Sequence, residues 1–294
     1  MSTPTAEETG TGESAVDRSS NSYFGEVWVN FKRWNRKAVR NPFVLVVSLV
    51  QPVIFLVLFT QVFGGVAGDA LSRSGAGVSY ETYLVPAIAV QVAIAAAATS
   101  GVGLVNDIEN GMFEKVLVSP MSRSAVFLGK TAAELLRIAV QVGIILGLGV
   151  VLGAEVGTGL LGALGVVAVG VVFSLWFIGF SNSLAVLTKD QESTIIGANL
   201  LQFPLLFLSS AFLPLEALPG WIRTVARFNP VTYGVDAARS LMLNADAASV
   251  FSASGFGAVW NAVLPALGVL LALDLLFGGI AVAMIRRASS SKVQ

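Results

Sequence analysis

Asp274 stands midway along an apolar run, Trp260–Ile285. A lone acid there is costly and usually faces protein or water, or stays protonated. Gln51, Gln91, Gln141 and Gln202 also fall inside long apolar runs. Two readings stand open for these groups. They either hydrogen-bond one helix to another, or Asp274, Gln51, Gln91 and Gln202 line a polar pathway, with Asp274 attracting a cationic substrate. The chemistry available is narrow, because the chain has no His and no Cys. Disulfides, Cys/His zinc sites, haem held by His or Cys, Ser-His-Asp triads and Cys nucleophiles are excluded. Asp274 has no evident catalytic partner, so no catalytic residue and no metal-ligand set is assigned.

Residues Ser124–Thr131 imitate a nucleotide loop, ending in Gly129-Lys130-Thr131. The first Gly of that motif is replaced by Ser124, no strand precedes it, and it runs into an apolar helix. A phosphate loop needs backbone N–H groups turned inward at a strand-to-helix turn. If ATP is used, another chain binds it.

The elements that position these residues are membrane helices. Of 294 residues, 55% are hydrophobic and only 12% charged, against roughly 25% charged in an ordinary soluble domain. Eighteen basic and eighteen acidic residues cancel, whereas nucleic-acid binding calls for a basic surplus. The pattern predicts an all-α integral membrane fold over residues 42–287. Six spans are read at about 43–63, 84–105, 132–153, 159–187, 194–213 and 260–285. Each approaches or exceeds the roughly 20 apolar residues needed to cross ~30 Å of hydrocarbon. Pro52 and Pro204 are expected to kink their helices. Gly143-x-x-x-Gly147 and Gly149-x-x-x-Gly153 allow a close helix approach.

Residues 1–22 are Ser/Thr/Gly/Glu-rich without an apolar run and read as a disordered tail rather than a signal peptide. Residues 23–41 form an amphipathic helix. Phe24, Val27, Trp28, Phe31, Trp34 and Ala38 share one face, and Glu26, Asn30, Lys32, Arg33, Arg36 and Lys37 hold much of the rest. It either lies in the headgroup layer or packs on protein. Placing both termini in the cytoplasm puts fourteen of the eighteen bases on that side, with Arg73, Arg223, Arg227 and Arg239 outside. This asymmetry orients a multi-pass protein of the cell (plasma) membrane, with residues 288–294 as a second cytoplasmic tail.

After the second span, Asn106–Arg123 forms a cytoplasmic elbow. It starts charged, makes a short amphipathic helix with Met112, Phe113, Val116 and Leu117 on one side and Glu114 and Lys115 on the other, and stops at Pro120. A helix resting on the bilayer and a protein-docking surface fit this pattern equally. After the fifth span, Pro214 ends a helix, Pro219 sits where the next can start, and Trp221, Ile222, Val225 and Phe228 form an apolar face. Asn229-Pro230 breaks that helix and another begins near Val231. These two helices are too short to span and too apolar for a free loop.

The elbow resembles the coupling region of type-2 ABC exporter permeases through Glu109, Gly111, Glu114, Leu117, Pro120, Ser122, Arg123, Leu128, Gly129 and Lys130. It departs from the usual pattern at Ile108, Asn110, Met112 and Val116. The order Phe212-x-Pro214, Leu218-Pro219-x-Trp221, Asn229-Pro230-x-Thr232-Tyr233 and Asp236-x-x-Arg239 is similar to the same class, most of all its drug-resistance branch. The resemblance implies a coupling helix at Glu109, Gly111, Phe113, Glu114, Lys115, Leu117, Pro120 and Arg123. It also implies extracellular re-entrant helices gating the outer mouth through Pro214, Pro219, Trp221, Asn229, Pro230, Tyr233, Asp236 and Arg239. On this reading the chain is a permease subunit of an exporter for a drug, lipid or polysaccharide. It works as a homodimer or with a related permease in membrane lipid, and two ATPase subunits carry ATP and Mg²⁺. The competing reading is an ion-coupled secondary transporter, which calls for paired intramembrane ionisable groups and often repeated halves. Only one deep acid and no clear repeat are seen. Glu114→Lys is expected to abolish ATP-driven export while membrane insertion persists; unchanged export by that variant would refute the coupling assignment.

Overall fold

The computed structural model describes residues 23–40, 42–73, 78–111 and 122–290. Among them the secondary structure is helical throughout: α1 (Tyr23–Val39), α2 (Pro42–Arg73), α3 (Tyr80–Glu109), α4 (Arg123–Val151), α5 (Gly159–Thr188), α6 (Gln191–Phe207), α7 (Gly220–Ala226), α8 (Pro230–Leu243) and α9 (Trp260–Ser290), with a 3₁₀ turn at Leu215–Ala217. Five of these, α2, α3, α4, α5 and α9, are long and apolar enough to cross a membrane. The fifth expected span corresponds to α6, which has 17 residues and reaches about 25 Å at 1.5 Å per residue. It ends at Phe207, three residues after Pro204, rather than at Leu213. Pro52, by contrast, leaves α2 helical on both sides.

Local sequence sets the helix starts. Ser79, Ser122, Asp190 and Asn229 each accept a backbone N–H of the following turn through the side chain, which satisfies donors the helix itself leaves free. Asn106–Glu109, read in sequence as the charged opening of the elbow, is the last turn of α3. Ser124–Thr131 is helical from its first residue, since α4 begins at Arg123.

α3 is the hub of the bundle. It packs on α2, α4, α5, α6 and α8, and it is buried along most of its length by small and medium side chains such as Ala87, Ala89, Ala93 and Ala97. A glycine sets its approach to α5. A Cβ at Gly101 would run into the backbone and hydroxyl of Ser181 on α5. Ser181 in turn donates to Ala98 O (2.6 Å) and accepts from Gly101 N (3.0 Å). Close backbone approach of this kind, closed by interhelical hydrogen bonds, is how helices associate where no hydrophobic effect draws them together. α9 packs on α5 and α8. Gly179 of α5 allows this contact, since a Cβ there would lie 2.8 Å from the Phe277 carbonyl carbon.

The outward faces of α2 and α9 remain largely uncovered in the single chain, with Phe43, Val47, Ile54, Leu271 and Leu275 exposed. Gly101→Val should wedge α3 from α5 and cost about 1–3 kcal/mol, the usual penalty of overpacking. Thermal unfolding of detergent-solubilised protein checks this, and an unchanged midpoint would contradict the hub contact.

Candidate functional site

The bundle has two polar ends. At one end meet α1, the C-terminus of α3, the N-terminus of α4 and the α5–α6 turn. There Gln191 donates to Glu109 Oε2 at 2.7 Å. Gly111, one residue beyond the C-cap of α3, has φ +65°, a conformation that favours glycine. Of the expected coupling residues, Phe113, Glu114, Lys115, Leu117 and Pro120 lie outside the described residues, as does the Arg123 side chain.

α1 packs on α4. Glu26 and Asn30 are buried and Val27, Phe31 and Trp34 are partly buried, whereas Phe24 and Trp28 are 79% and 55% exposed, as are Lys32, Arg33, Arg36 and Lys37. The packing on protein is therefore made by residues from both expected faces. Gly129 makes the contact possible, because a Cβ there would sit 2.6 Å from Asn30 Cβ and 2.7 Å from Val27 O. Glu26 accepts hydrogen bonds from both Ser122 N and Ser122 Oγ at 2.9 Å, so α1 holds the residue at which the chain re-enters α4.

Next to Gly129, Lys130 is 4% exposed. Its ammonium lies 3.7 Å from Asp107 Oδ2 on α3 and 3.8 Å from Glu134 Oε1 one turn on. It donates to Ser100 O at 3.4 Å and stands 5.5 Å over the Trp34 ring of α1. Ser100 Oγ donates to Glu134 Oε2 at 2.6 Å and lies 3.3 Å from Asn182 Oδ1 of α5. Three helices thus converge on one buried cation, and α5 joins the cluster through Asn182. The Gly-Lys-Thr step that imitates a phosphate loop does this packing: Gly129 admits α1, and Lys130 is shared by two carboxylates. Sequence reasoning did not single out Asp107, Glu134, Ser100 or Glu26. The i,i+4 spacing of Lys130 and Glu134 was a legible signal, but nothing local pairs either with Asp107.

At the other end α6 stops, and Leu208–Leu213 runs irregularly through the bundle. Backbone carbonyls exposed there need partners, as hydrocarbon offers none. Asn229 Nδ2 donates to Leu205 O (2.6 Å) and Leu208 O (2.8 Å) while Oδ1 caps α8 at Val231 N (2.9 Å). Arg239 Nη2 donates to Ser210 O (3.1 Å) and Ala211 O (3.3 Å), and Nε donates to Tyr83 O (3.3 Å). Its guanidinium carbon lies 3.6 Å from the Tyr83 ring centre. Tyr80 donates to Phe212 O at 3.3 Å.

Asp236 completes the set. It lies 3.8 Å from Arg239 Nη1 and accepts from Ser210 Oγ (3.0 Å), Ser249 N (2.7 Å) and Ser249 Oγ (2.6 Å). Burial pushes its carboxyl above the ordinary value, while Arg239, Ser249 and Ser210 pull it back. Asn229, Asp236 and Arg239 are therefore buried staples of the broken helix. The remaining expected gate residues sit at element boundaries and on the surface. Pro214 precedes the 3₁₀ turn, Pro219 precedes α7, and Pro230 opens α8. Tyr233 donates to Arg227 O at 2.8 Å, and Trp221 is exposed with Phe228.

The glutamines divide. Gln141 donates to Ser48 Oγ at 2.6 Å, joining α4 to α2. Gln91 and Gln202 are buried with Oε1 unpartnered, and Gln51 faces outward on α2. Asp274 has no hydrogen-bond partner for either oxygen. The structure does not bring these four together with the two polar ends.

One end of the bundle is thus a broken helix stapled from the short buried helix α8, and the other gathers α1, α3 and α4 around Lys130. Residues 25–243 match the model of the ABC-2 type transporter family, and the chain belongs to that family. It is the membrane subunit of an ABC transporter. It is 29% identical over 201 residues to a daunorubicin resistance ABC transporter permease of Streptomyces coeruleorubidus, covering 68% of this chain and 69% of that protein. Over 211 residues it is 28% identical to a probable doxorubicin resistance ABC transporter permease of Mycobacterium tuberculosis, covering 72% and 73%. A putative transport permease of Cyanophora paradoxa is 30% identical over 224 residues, 74% of each chain. These relatives place it in the drug-resistance branch.

Arg239→Met removes the donors to three carbonyls and strands Asp236. A loss of about 3–5 kcal/mol is expected, as for one partner removed from a buried pair. Arg239→Met paired with Asp236→Asn should recover part of it. Unfolding midpoints in detergent decide the matter, and a stable single variant would refute the staple role.

Proposed function

We propose that this chain is the membrane-spanning subunit of an ATP-driven exporter that moves a hydrophobic or amphipathic cargo, with ATP hydrolysed by two separate ATPase subunits. Membership of the ABC-2 family across most of the chain carries the reading. The named relatives, resistance permeases for daunorubicin and doxorubicin, favour a drug-like cargo over a polysaccharide.

The reading counts α6 as a sixth span, with both termini cytoplasmic in the cell membrane. The charge asymmetry supports that orientation, and the helix order agrees with it. α1, the two described flanks of the elbow (residues 106–111 and Ser122) and the α5–α6 turn share one end, and the α7–α8 hairpin takes the other. Residues 109–123 dock on the ATPase through Glu109, Gly111, Phe113, Glu114, Lys115, Leu117, Pro120 and Arg123. ATP-driven closure of the ATPase pair tilts the elbow. The buried Lys130 cluster sits directly beyond that elbow and ties it to α1, α3, α4 and α5, so a tilt reaches the bundle as a rigid-body movement. The α7–α8 hairpin caps the outer mouth, with Pro214, Pro219, Trp221, Asn229, Pro230, Tyr233, Asp236 and Arg239 shaping it. Two permease copies, identical or related, form the pathway, and the uncovered apolar faces of α2 and α9 provide surface for lipid and for that second copy. Asp274, Gln51, Gln91 and Gln202 are the pathway candidates.

Co-expression with a phosphate-loop ATPase of the same cell should yield a complex whose ATP hydrolysis rises on adding an amphipathic drug. Transport by this chain reconstituted alone, without ATP, would overturn the proposal.

A further inference from the structure

A groove of about 770 Å³ runs along the flank of the bundle between α5, α9 and the start of α4. Phe127, Leu175, Ile178, Leu275 and Val282 make it apolar, and Thr131, Asn182 and Asp274 are its polar members. Its members come from the elbow-side halves of these helices. It opens sideways, beside the point where Gly179 lets α5 and α9 touch backbone to backbone.

Asp274 is unlike the other buried carboxylates of the described residues. Glu26 is held by Ser122, Asp107 and Glu134 share Lys130, and Asp236 has Arg239 and two serines. Each is satisfied from within the chain. The two oxygens of Asp274 are buried, and among the described residues no side chain donates to them; only the Trp176 backbone lies near enough to act on the carboxyl, short of good hydrogen-bond geometry. No cation lies within ion-pair distance of Asp274 among the described residues. An uncompensated acid of this kind is costly in hydrocarbon, and the cost is relieved by a positively charged group brought in from outside.

We infer that this groove is a binding site for an amphipathic cation, an amine or other monocation carried on an apolar body, with its charge on Asp274 and its body along Phe127, Ile178 and Val282. The inference rests on the exporter reading for its meaning and names the cargo class. The groove is open on the side of the bundle, so the ligand enters from the bilayer, where amphipathic cations concentrate. Asn182 links the site to the motor end: it lines the groove and also lies 3.3 Å from Ser100 Oγ, which donates to Glu134 of the Lys130 cluster. Gly278 and Gly279 line the groove as well, and a Cβ at either would meet nothing within 4 Å. A larger side chain at Gly279 therefore fills the space without disturbing a packed contact.

The test is equilibrium binding to the full chain alone, in nanodiscs of neutral phosphatidylcholine. The probes are a rhodamine ester with a permanent positive charge and an uncharged rhodamine of the same ring system, followed by fluorescence anisotropy. Without the ATPase, a failed motor pairing cannot mask the result, and a failed binding result leaves the motor pairing untouched. The wild-type chain should prefer the cationic probe by about tenfold or more, the scale of a charge-assisted contact. Asp274→Asn should abolish the preference while residual binding of both probes persists. Gly279→Leu should weaken both probes, with an unchanged unfolding midpoint showing that the fold is intact. Equal affinity for the two probes in the wild-type chain, a charge preference that survives Asp274→Asn, or unaltered binding in Gly279→Leu would each overturn the assignment. Full displacement of the cationic probe by neutral lipid alone would make the groove a lipid site and overturn it too.

Discussion

A backbone carbonyl inside a bilayer has no water to turn to, and the end of the bundle built around α8 is organised by that constraint. α6 breaks after Pro204, and five carbonyls between Leu205 and Phe212 would be left without donors of their own helix. Asn229, Arg239, Tyr80 and Tyr83 supply them. Arg239 can do this only because it is charged, planar and many-donored, and it can be buried only because Asp236 and the face of Tyr83 compensate it. The position of α8 inside the bundle follows. Its polar residues have to reach the broken strand of backbone, so it lies against α3, α5, α6 and α9 rather than on the surface.

The same accounting operates at the other end with side chains in place of backbone. Lys130 is surrounded by two carboxylates, a carbonyl and an indole ring from α1, α3 and α4. Pairs of this kind add little net stability over an apolar replacement, but removing one member is expensive. Their effect is to fix which helix faces meet. Glycines then set the distances, at Gly129 for α1 on α4, at Gly101 for α3 on α5 and at Gly179 for α5 on α9.

Much of the fold was legible along the chain. The apolar runs announced five long helices to within a few residues at most ends, because hydrocarbon thickness fixes the length of a span. The residues Asn229-Pro230 and Pro219 marked the starts of α8 and α7 through proline's missing N–H and the cap that asparagine provides. The end of α6 was not legible. Leu205–Leu213 is apolar enough to continue a helix, and it stops short because side chains distant in sequence satisfy its carbonyls. For α1 the sequence left open the headgroup layer or packing on protein, since amphipathicity does not say which residues meet protein.

The sequence by itself determined the class of molecule. Low charge, long apolar runs and the lopsided placement of bases are properties of composition and order, and they define a polytopic membrane protein. Tertiary structure alone decided the partners of the buried charges. Lys130 meets Asp107 across 23 positions of chain, and Arg239 meets Tyr83 across 156. Asp274 meets no side-chain donor among the described residues. Spacing along a helix reports only neighbours three or four residues away, so which carboxylate is neutralised and which is left open to a ligand depends on how the helices are brought together.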